Sequence, residues 1–160
     1  MFSNSDSSPL AVTAPESDKL IQLVQPLNYI KAMEFQLVGC LAWNASTEDQ
    51  RPRCVSLMDP SRIGWYVHHR DHQLLLDAEN DADGDQSLFA LNSSFFLRTD
   101  WLYPGHYAFE SVNFPDWYIW LGDDGYLRIE PDAYTDAYYD AASFKLYPIA
   151  MSRECRCLFF

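Results

Sequence analysis

Residues 54 to 70 read Cys-Val-Ser-Leu-Met-Asp-Pro-Ser-Arg-Ile-Gly-Trp-Tyr-Val-His-His-Arg, and residues 107 to 121 read Tyr-Ala-Phe-Glu-Ser-Val-Asn-Phe-Pro-Asp-Trp-Tyr-Ile-Trp-Leu. In both stretches a short run of strand-forming residues leads into a turn that contains proline, and an aromatic run follows. The pattern recurs about fifty residues apart. Self-similarity at a fixed spacing is typical of repeat architectures, in which each copy buries its apolar face against its neighbours. The two stretches therefore predict a repeat fold.

A weaker copy precedes them at residues 21 to 38, and it places Tyr29 in register with Tyr66 and Tyr118. The runs around the copies are brief, apolar or alternating, and they end at turn residues, which favours a closed all-β fold. Three copies of about four strands each predict a β-trefoil with about twelve strands and almost no helix. Closing strands are expected near residues 87 to 89 and 143 to 146. The segment from 132 to 142 is too rich in Tyr and Asp to be expected to form a helix.

The chain has 160 residues, which suits a single domain. Residues 1 to 17 are rich in Ser, Asp and Pro, so we expect a flexible tail there. The β-trefoil domain is expected over residues 18 to 150, with a C-terminal tail over residues 151 to 160.

The net charge of −12 disfavours nucleic acid, whose phosphates would be repelled, and anionic membrane surfaces. No apolar run approaches the roughly 18 residues of a membrane span, and the N-terminus lacks the pattern of a signal peptide. We therefore predict a cytoplasmic protein, unless a leader has been removed. The four cysteines, Cys40, Cys54, Cys155 and Cys157, are too sparse for a disulfide-rich domain, so free thiols are expected.

The third copy carries Ala-Phe-Glu-Ser-Val-Asn-Phe-Pro-Asp-Trp-Tyr-Ile from residue 108, and the second carries Tyr-Val-His-His from residue 66. At these positions the chain resembles the AbfB domain, the arabinofuranose-binding β-trefoil module of α-L-arabinofuranosidases. The family's repeat reads roughly Ser-Phe-Glu-Ser-Val-Asn-Tyr-Pro-Gly-Tyr-Tyr-Leu-Arg-His and later Asp-Ala-Thr-Phe. The resemblance covers residues 54 to 148 well and residues 19 to 53 by analogy. It implies a non-catalytic carbohydrate-binding module whose ligand is a pentose or an arabinose-like saccharide.

In the family, the His that ends the first motif and the Asp of the second motif bind the sugar. Carried over to the second copy, these roles fall on His69 and Asp85. Both side chains accept hydrogen bonds from vicinal hydroxyls, and a nearby aromatic ring such as Tyr66 covers an apolar sugar face.

The other two copies depart from the family's pattern. In the third copy Leu121 stands at the His position, and Asp140 lies one residue out of register with the Asp position. In the first copy Ala32 stands at the His position. The resemblance therefore implies one retained sugar site and two degenerate ones.

A second function is open, because one scaffold hosts several kinds of binding. The acidic segment after residue 131 holds Tyr134, Tyr138 and Tyr139, whose rings are typical of interaction surfaces. They predict a docking surface for a protein partner with a basic surface.

An enzyme is not expected, because Ser93 and Ser94 lack the context of a catalytic nucleophile. Three of the four histidines cluster at His68, His69 and His72. Consecutive strand residues point to opposite faces, so His68 and His69 are not expected to enter one site. No metal and no cofactor are expected.

Overall fold

The computed structural model describes residues 11–13, 22–24, 35–42, 53–81, 85–101, 103–146, 148–149 and 156–157. Within them lie two short α-helices, a short 3-10 helix at Glu79–Asp81, and a set of strands. The strands are β1 (Ala11–Thr13), β2 (Gln22–Val24), β3 (Gln36–Gly39), β4 (Cys54–Met58), β5 (Trp65–Arg70), β6 (Gln73–Ala78), β7 (Phe95–Thr99), β8 (Tyr107–Ser111), β9 (Trp117–Leu121), β10 (Leu127–Pro131), β11 (Pro148–Ile149) and β12 (Arg156–Cys157). The helices are α1 (Gln86–Asn92) and α2 (Asp136–Ala142).

Seven of the strands close into an antiparallel barrel in the order β4-β5-β6-β10-β9-β8-β7, and β7 returns to pair with β4. The closing contact pairs Cys54 with Phe96 and Val55 with Phe95. Strand β3 lies outside the ring and pairs with β4. The pairs β1–β2 and β11–β12 form separate two-stranded sheets.

The prediction of a three-repeat β-trefoil is wrong. The barrel takes β4 to β6 from the second predicted copy, β8 to β10 from the third, and β7 from the segment between the two copies. Because β7 pairs directly with β4, no strand from the first copy enters the ring between them. Strand β3, from the end of the first copy, only flanks the ring. Tyr29, which was expected to align with Tyr66 and Tyr118, lies outside the described residues.

The second and third copies do share an arrangement. Each contains three successive strands followed by a short helix: β4, β5, β6 and α1 in one, and β8, β9, β10 and α2 in the other. Tyr66 and Tyr118 also occupy matching places, since each pairs with the strand before its own, at Met58 and Glu110 respectively.

The junctions of the barrel are of two kinds. The neighbours β5–β6, β7–β8 and β9–β10 pair along five or six residues each. The neighbours β4–β5, β6–β10 and β8–β9 meet at a single residue pair each, for example Arg128 with Gln73. The ring therefore consists of three long hairpins and β4, with short joints between them.

Both helices lie where none was expected. Residues 87 to 89, predicted as a strand, belong to α1, and residues 136 to 142, predicted as non-helical, form α2. The caps and the packing explain the difference. The Asp85 carboxylate accepts from the amides of Ser87 and Leu88, and the Thr135 hydroxyl accepts from the amide of Tyr138. Each helix buries one ring, Phe89 in α1 and Tyr138 in α2, and this packing outweighs weak helix propensity.

The hydrophobic core fills the barrel. Alternation along β10 shows how the sequence builds it, since Leu127 and Ile129 are fully buried while Arg128 and Glu130 are half-buried. The largest fully buried apolar side chains are Phe35, Phe95, Phe109, Leu57, Leu74, Leu76, Ile119, Leu127 and Ile129. The sheet thus holds its outward residues at fixed places on a rigid body.

A disulfide joins Cys40 to Cys54, with their Cα atoms 5.3 Å apart. The expectation of free thiols is therefore wrong for this pair. Cys40 follows β3 and Cys54 begins β4, so the bond ties the outer strand to the barrel. The side chains of Cys155 and Cys157 lie outside the described residues.

Most of the predicted tails, residues 1 to 17 and 151 to 160, also lies outside the described residues, and the predicted domain bounds stay a prediction. Neither helix of the described part has the length and apolar character needed to cross a membrane.

Candidate functional site

The neighbouring histidines of β5 point in opposite directions, as strand geometry requires. Nε2 of His68 lies 3.0 Å from Oδ2 of Asp77, and the His68 ring packs against Phe89 of α1. His69 instead packs against the rings of Phe95 and Phe114. The two histidines therefore belong to separate environments, and among the described residues no three His, Cys, Asp or Glu side chains are grouped to hold a metal ion.

His69 is the centre of a polar network at one end of the barrel. Its Nε2 lies 3.0 Å from Oδ1 of Asn113 and 3.2 Å from Oγ of Ser111. The Ser111 hydroxyl donates to Asn113 Oδ1 at 2.9 Å, and Asn113 Nδ2 donates to Asn92 Oδ1 at 2.8 Å. We call these four residues, His69, Asn92, Ser111 and Asn113, the amide network. It links the end of β5, the end of α1 and the turn after β8.

The amide network is uncharged. Burial lowers the pKa of His69 to about 4, so the imidazole is neutral at neutral pH. The hydrogen bond to Asn113 Oδ1, an acceptor, requires that Nε2 carries the proton. The other members are two amides and a hydroxyl, so the network holds no carboxylate.

The side chains of the amide network differ in their exposure to solvent. His69 is only 2% exposed, whereas Asn92 and Asn113 are half-buried. His69 is therefore shielded from solvent, and its hydrogen bond restrains the side chain of Asn113, which is partly accessible. The Asn92 amide lies at the open end, and within the described part of the chain its Nδ2 has no hydrogen-bond acceptor. A side-chain amide in this position offers both a donor and an acceptor to a polar, uncharged ligand.

An aromatic ring flanks the network. The Phe114 ring lies 5.3 Å from the His69 ring at an interplanar angle of 83°, and Phe114 is half-buried. Polar amides beside a partly open aromatic face suit a ligand that has hydroxyls on its edges and an apolar face.

The structure does not bring the other predicted site residues to the amide network. Asp85 caps the start of α1 through its Oδ1, and Asn92 ends the same helix, about 10 Å away along the helix axis.

Tyr66 lies three residues before His69 on β5, on the opposite face. Burial raises the pKa of the Tyr66 phenol. Asp140 is exposed on α2 and accepts a hydrogen bond of 2.7 Å from the hydroxyl of Tyr103.

The three tyrosines of the predicted interaction surface have different environments. Tyr138 is buried, and its hydroxyl donates to the backbone carbonyl of Glu130 at 2.7 Å. Tyr139 is half-buried against the edge of Trp101. Only Tyr134 is largely exposed, at 76%. The three rings therefore do not form one open surface.

Comparison with known proteins gives the family. The model of the alpha-L-arabinofuranosidase B (ABFB) domain matches residues 21–146. The chain belongs to the AbfB family. AbfB domains are carbohydrate-binding modules and not catalytic domains, and the resemblance read from the sequence is confirmed. None of the curated proteins matches the chain.

Solved structures share the fold of this AbfB domain. One is a GH54 a-l-arabinofuranosidase soaked with a cyclic sulfate inhibitor, which is 19% identical with a TM-score of 0.60 over 89% of this chain and 31% of that chain. Another is an arabinofuranosidase complexed with arabinofuranosyl-alpha-1,2-xylobiose, also 19% identical with a TM-score of 0.60, over 86% of this chain and 30% of that chain. The AbfB domain thus spans less than a third of the length of these enzymes, and at this identity the likeness shows the fold alone.

The position of Asn92 was missed in the sequence, although a signal for it exists. The second motif of AbfB domains, Asp-Ala-Thr-Phe, ends in Phe, and Phe95 opens β7 directly after α1. Aligned on Phe95, the motif falls on Asn92-Ser93-Ser94-Phe95, so Asn92 stands at the Asp position. This register agrees with the network, since Asn92 is bound to Asn113 and Asn113 to His69.

Proposed function

We propose that this AbfB domain is a non-catalytic carbohydrate-binding module that binds an arabinose-like saccharide at a single site. The site consists of the amide network and the flanking ring of Phe114. The observation that carries the proposal is the chain of hydrogen bonds from buried His69 through Asn113 to the partly open side chain of Asn92. Such a chain fixes the orientation of an amide that can bind two neighbouring hydroxyls of a sugar.

The chemistry of the site supports a neutral ligand and no hydrolysis. An uncharged imidazole, two amides and a hydroxyl give no counter-charge for an anion or a cation. Glycoside hydrolysis ordinarily needs a pair of carboxylates on either side of the scissile bond, and the amide network contains none. A pentose is the preferred ligand because the family is named for arabinofuranosidases and one solved neighbour holds an arabinofuranosyl oligosaccharide.

We further propose that the third copy has lost its site. In this copy Leu121 stands where the second copy has His69. With the second motif aligned on Phe144, Ala141 stands where the second copy has Asn92. Neither side chain can hydrogen-bond a hydroxyl. The corresponding part of the first copy, including Ala32, lies outside the described residues.

The alternative, a docking domain for a basic protein, depends on a contiguous tyrosine surface. Because Tyr138 is buried and Tyr139 half-buried, that surface is reduced to Tyr134 and the rim of Tyr139. No contact in the described part of the chain favours this function over sugar binding.

The test is a titration of the labelled protein with L-arabinose, followed by NMR chemical shifts. We expect shifts at Asn92, Asn113 and Phe114. Asn92→Ala should weaken binding about three- to tenfold, as expected for one lost neutral hydrogen bond. Asn80→Ala is the matched control, since Asn80 is an exposed asparagine outside the network. A wild-type protein that shows no shifts at millimolar arabinose, or an Asn92→Ala variant that binds like Asn80→Ala, would overturn the proposal.

A further inference from the structure

The turn between β5 and β6 holds a histidine in an unusual conformation. Asp71 and His72 have positive φ angles of 49° and 66°. Two-residue hairpin turns of this kind strongly favour Asn and Gly, so histidine is a costly choice here. The backbone carbonyl of His72 accepts from the amide of Ile129 at 2.8 Å, which fixes the turn against β10. The His72 side chain is exposed.

The exposed imidazole of His72 lies on two other rings. It packs against Trp117 with ring centroids 4.6 Å apart and meets Phe114 at 5.5 Å and a right angle. Phe114 and Trp117 are themselves 5.5 Å apart, and both are half-buried. We call His72, Phe114 and Trp117 the aromatic shelf. Phe114 and Trp117 pack against the barrel core, so the shelf presents outward the imidazole of His72 and the open parts of two rings.

The aromatic shelf is continuous with the proposed sugar site. Phe114 contacts His72 on one side and His69 on the other, at 5.5 Å and 5.3 Å. The proposed sugar site and the shelf therefore share the Phe114 ring and border each other. Core packing accounts for Phe114 and Trp117, but it does not account for an exposed histidine in a strained turn. An exposed aromatic side chain in a strained turn beside the proposed sugar site supports a functional role for His72.

We propose that the aromatic shelf binds a second sugar unit, so that the ligand of this domain is an arabinose-containing oligosaccharide and not a single sugar. This inference rests on the proposed function of the amide network. Partly open aromatic rings suit the apolar face of a sugar, while the amide network fixes the hydroxyls of the neighbouring unit. Contacts with the shelf then make the domain bind an oligosaccharide more tightly than a monosaccharide.

The test compares the affinities of L-arabinose and of an α-1,5-linked arabinotriose by calorimetry. A contact between a sugar and the shelf should make the trisaccharide bind about two- to tenfold more tightly. His72→Ala should remove this difference and leave arabinose binding unchanged. His106→Ala is the matched control, because His106 also packs on an aromatic ring, that of Tyr103, away from the shelf. Thermal unfolding of each variant checks the fold.

The outcomes separate the two proposals. Equal affinity for both sugars, or a His72→Ala variant that keeps the wild-type difference, overturns the shelf and leaves the amide network standing. A variant that weakens both sugars equally places His72 in the first site and also overturns the shelf. A protein that binds neither sugar overturns both proposals.

Discussion

The Cys40–Cys54 disulfide should contribute a large part of the stability of this domain. Replacing both residues by Ala removes a bond across a sequence separation of 14 residues. In the chain-entropy account, a loop of this length restricts the unfolded chain enough to stabilise the fold by about 3 kcal/mol. The register agrees with an unforced bond, because Gly39 pairs with Val55 and the two cysteines follow as the next opposite pair. For a domain of this size, about 3 kcal/mol corresponds to a fall in Tm of roughly 6 to 12 °C.

Urea denaturation of the wild type and of the double variant, with and without dithiothreitol, measures this effect. We expect the reductant to lower the wild-type free energy of unfolding to the value of the double variant, and to leave the double variant unchanged. The reasoning is refuted if the oxidised wild type and the double variant differ by less than about 0.5 kcal/mol, a difference typical of neutral surface changes.

Three further predictions concern single residues. Asp85→Ala should cost about 1 kcal/mol of stability, as for other lost helix caps, and leave arabinose titrations unchanged; lost binding with intact stability would instead place Asp85 in the sugar site. The pKa of His69 falls from 6.5 when unfolded to about 4 in the fold, so the unfolded chain takes up the proton first and the free energy of unfolding should fall by about 2 kcal/mol from pH 7 to pH 5. In the His69→Gln variant, the decrease in the free energy of unfolding from pH 7 to pH 5 should be markedly smaller. Urea unfolding at each pH measures it. Tyr138→Phe should lower stability by about 1 kcal/mol through its lost bond to Glu130, whereas Tyr134→Phe should unfold like the wild type in the same assay.

Local patterns predicted several of the strands, although the closing strands expected near residues 87 to 89 and 143 to 146 do not form. The runs around Leu74, Phe109 and Ile119 alternate or are apolar, they end at turn residues, and they form β6, β8 and β9. The helices were missed because their caps are single residues and their packing is tertiary. Neither Asp85 nor Thr135 is decisive until Phe89 and Tyr138 have a barrel surface to cover.

The sequence alone did not predict how the barrel closes. The resemblance between the second and third copies was real, and extending it to the first copy, at residues 21 to 38, produced the wrong fold. β7 pairs with β4 and not with a strand from another copy. This choice depends on which strand edges meet in the folded barrel, and no pattern of side chains in the sequence specifies it. The candidate site was only partly predicted for the same reason. The sequence indicated His69, but its contact with Asn113, 44 positions away, forms only when β5 and the turn after β8 are neighbours in the fold.

The division of the barrel into long hairpins and single-pair joints sets how the native state should fluctuate. Hydrogen exchange proceeds through partial openings of the native state, and the openings with the lowest free energy break the fewest backbone hydrogen bonds. Amides inside β5–β6, β7–β8 and β9–β10 should therefore exchange in three blocks, while amides at the joints, such as that of Ile129, should exchange earlier. The amide network crosses from the β5–β6 block to the turn that joins the other two. A bound sugar would hold these blocks together, and protection should spread across the whole ring and not stay at the residues it touches.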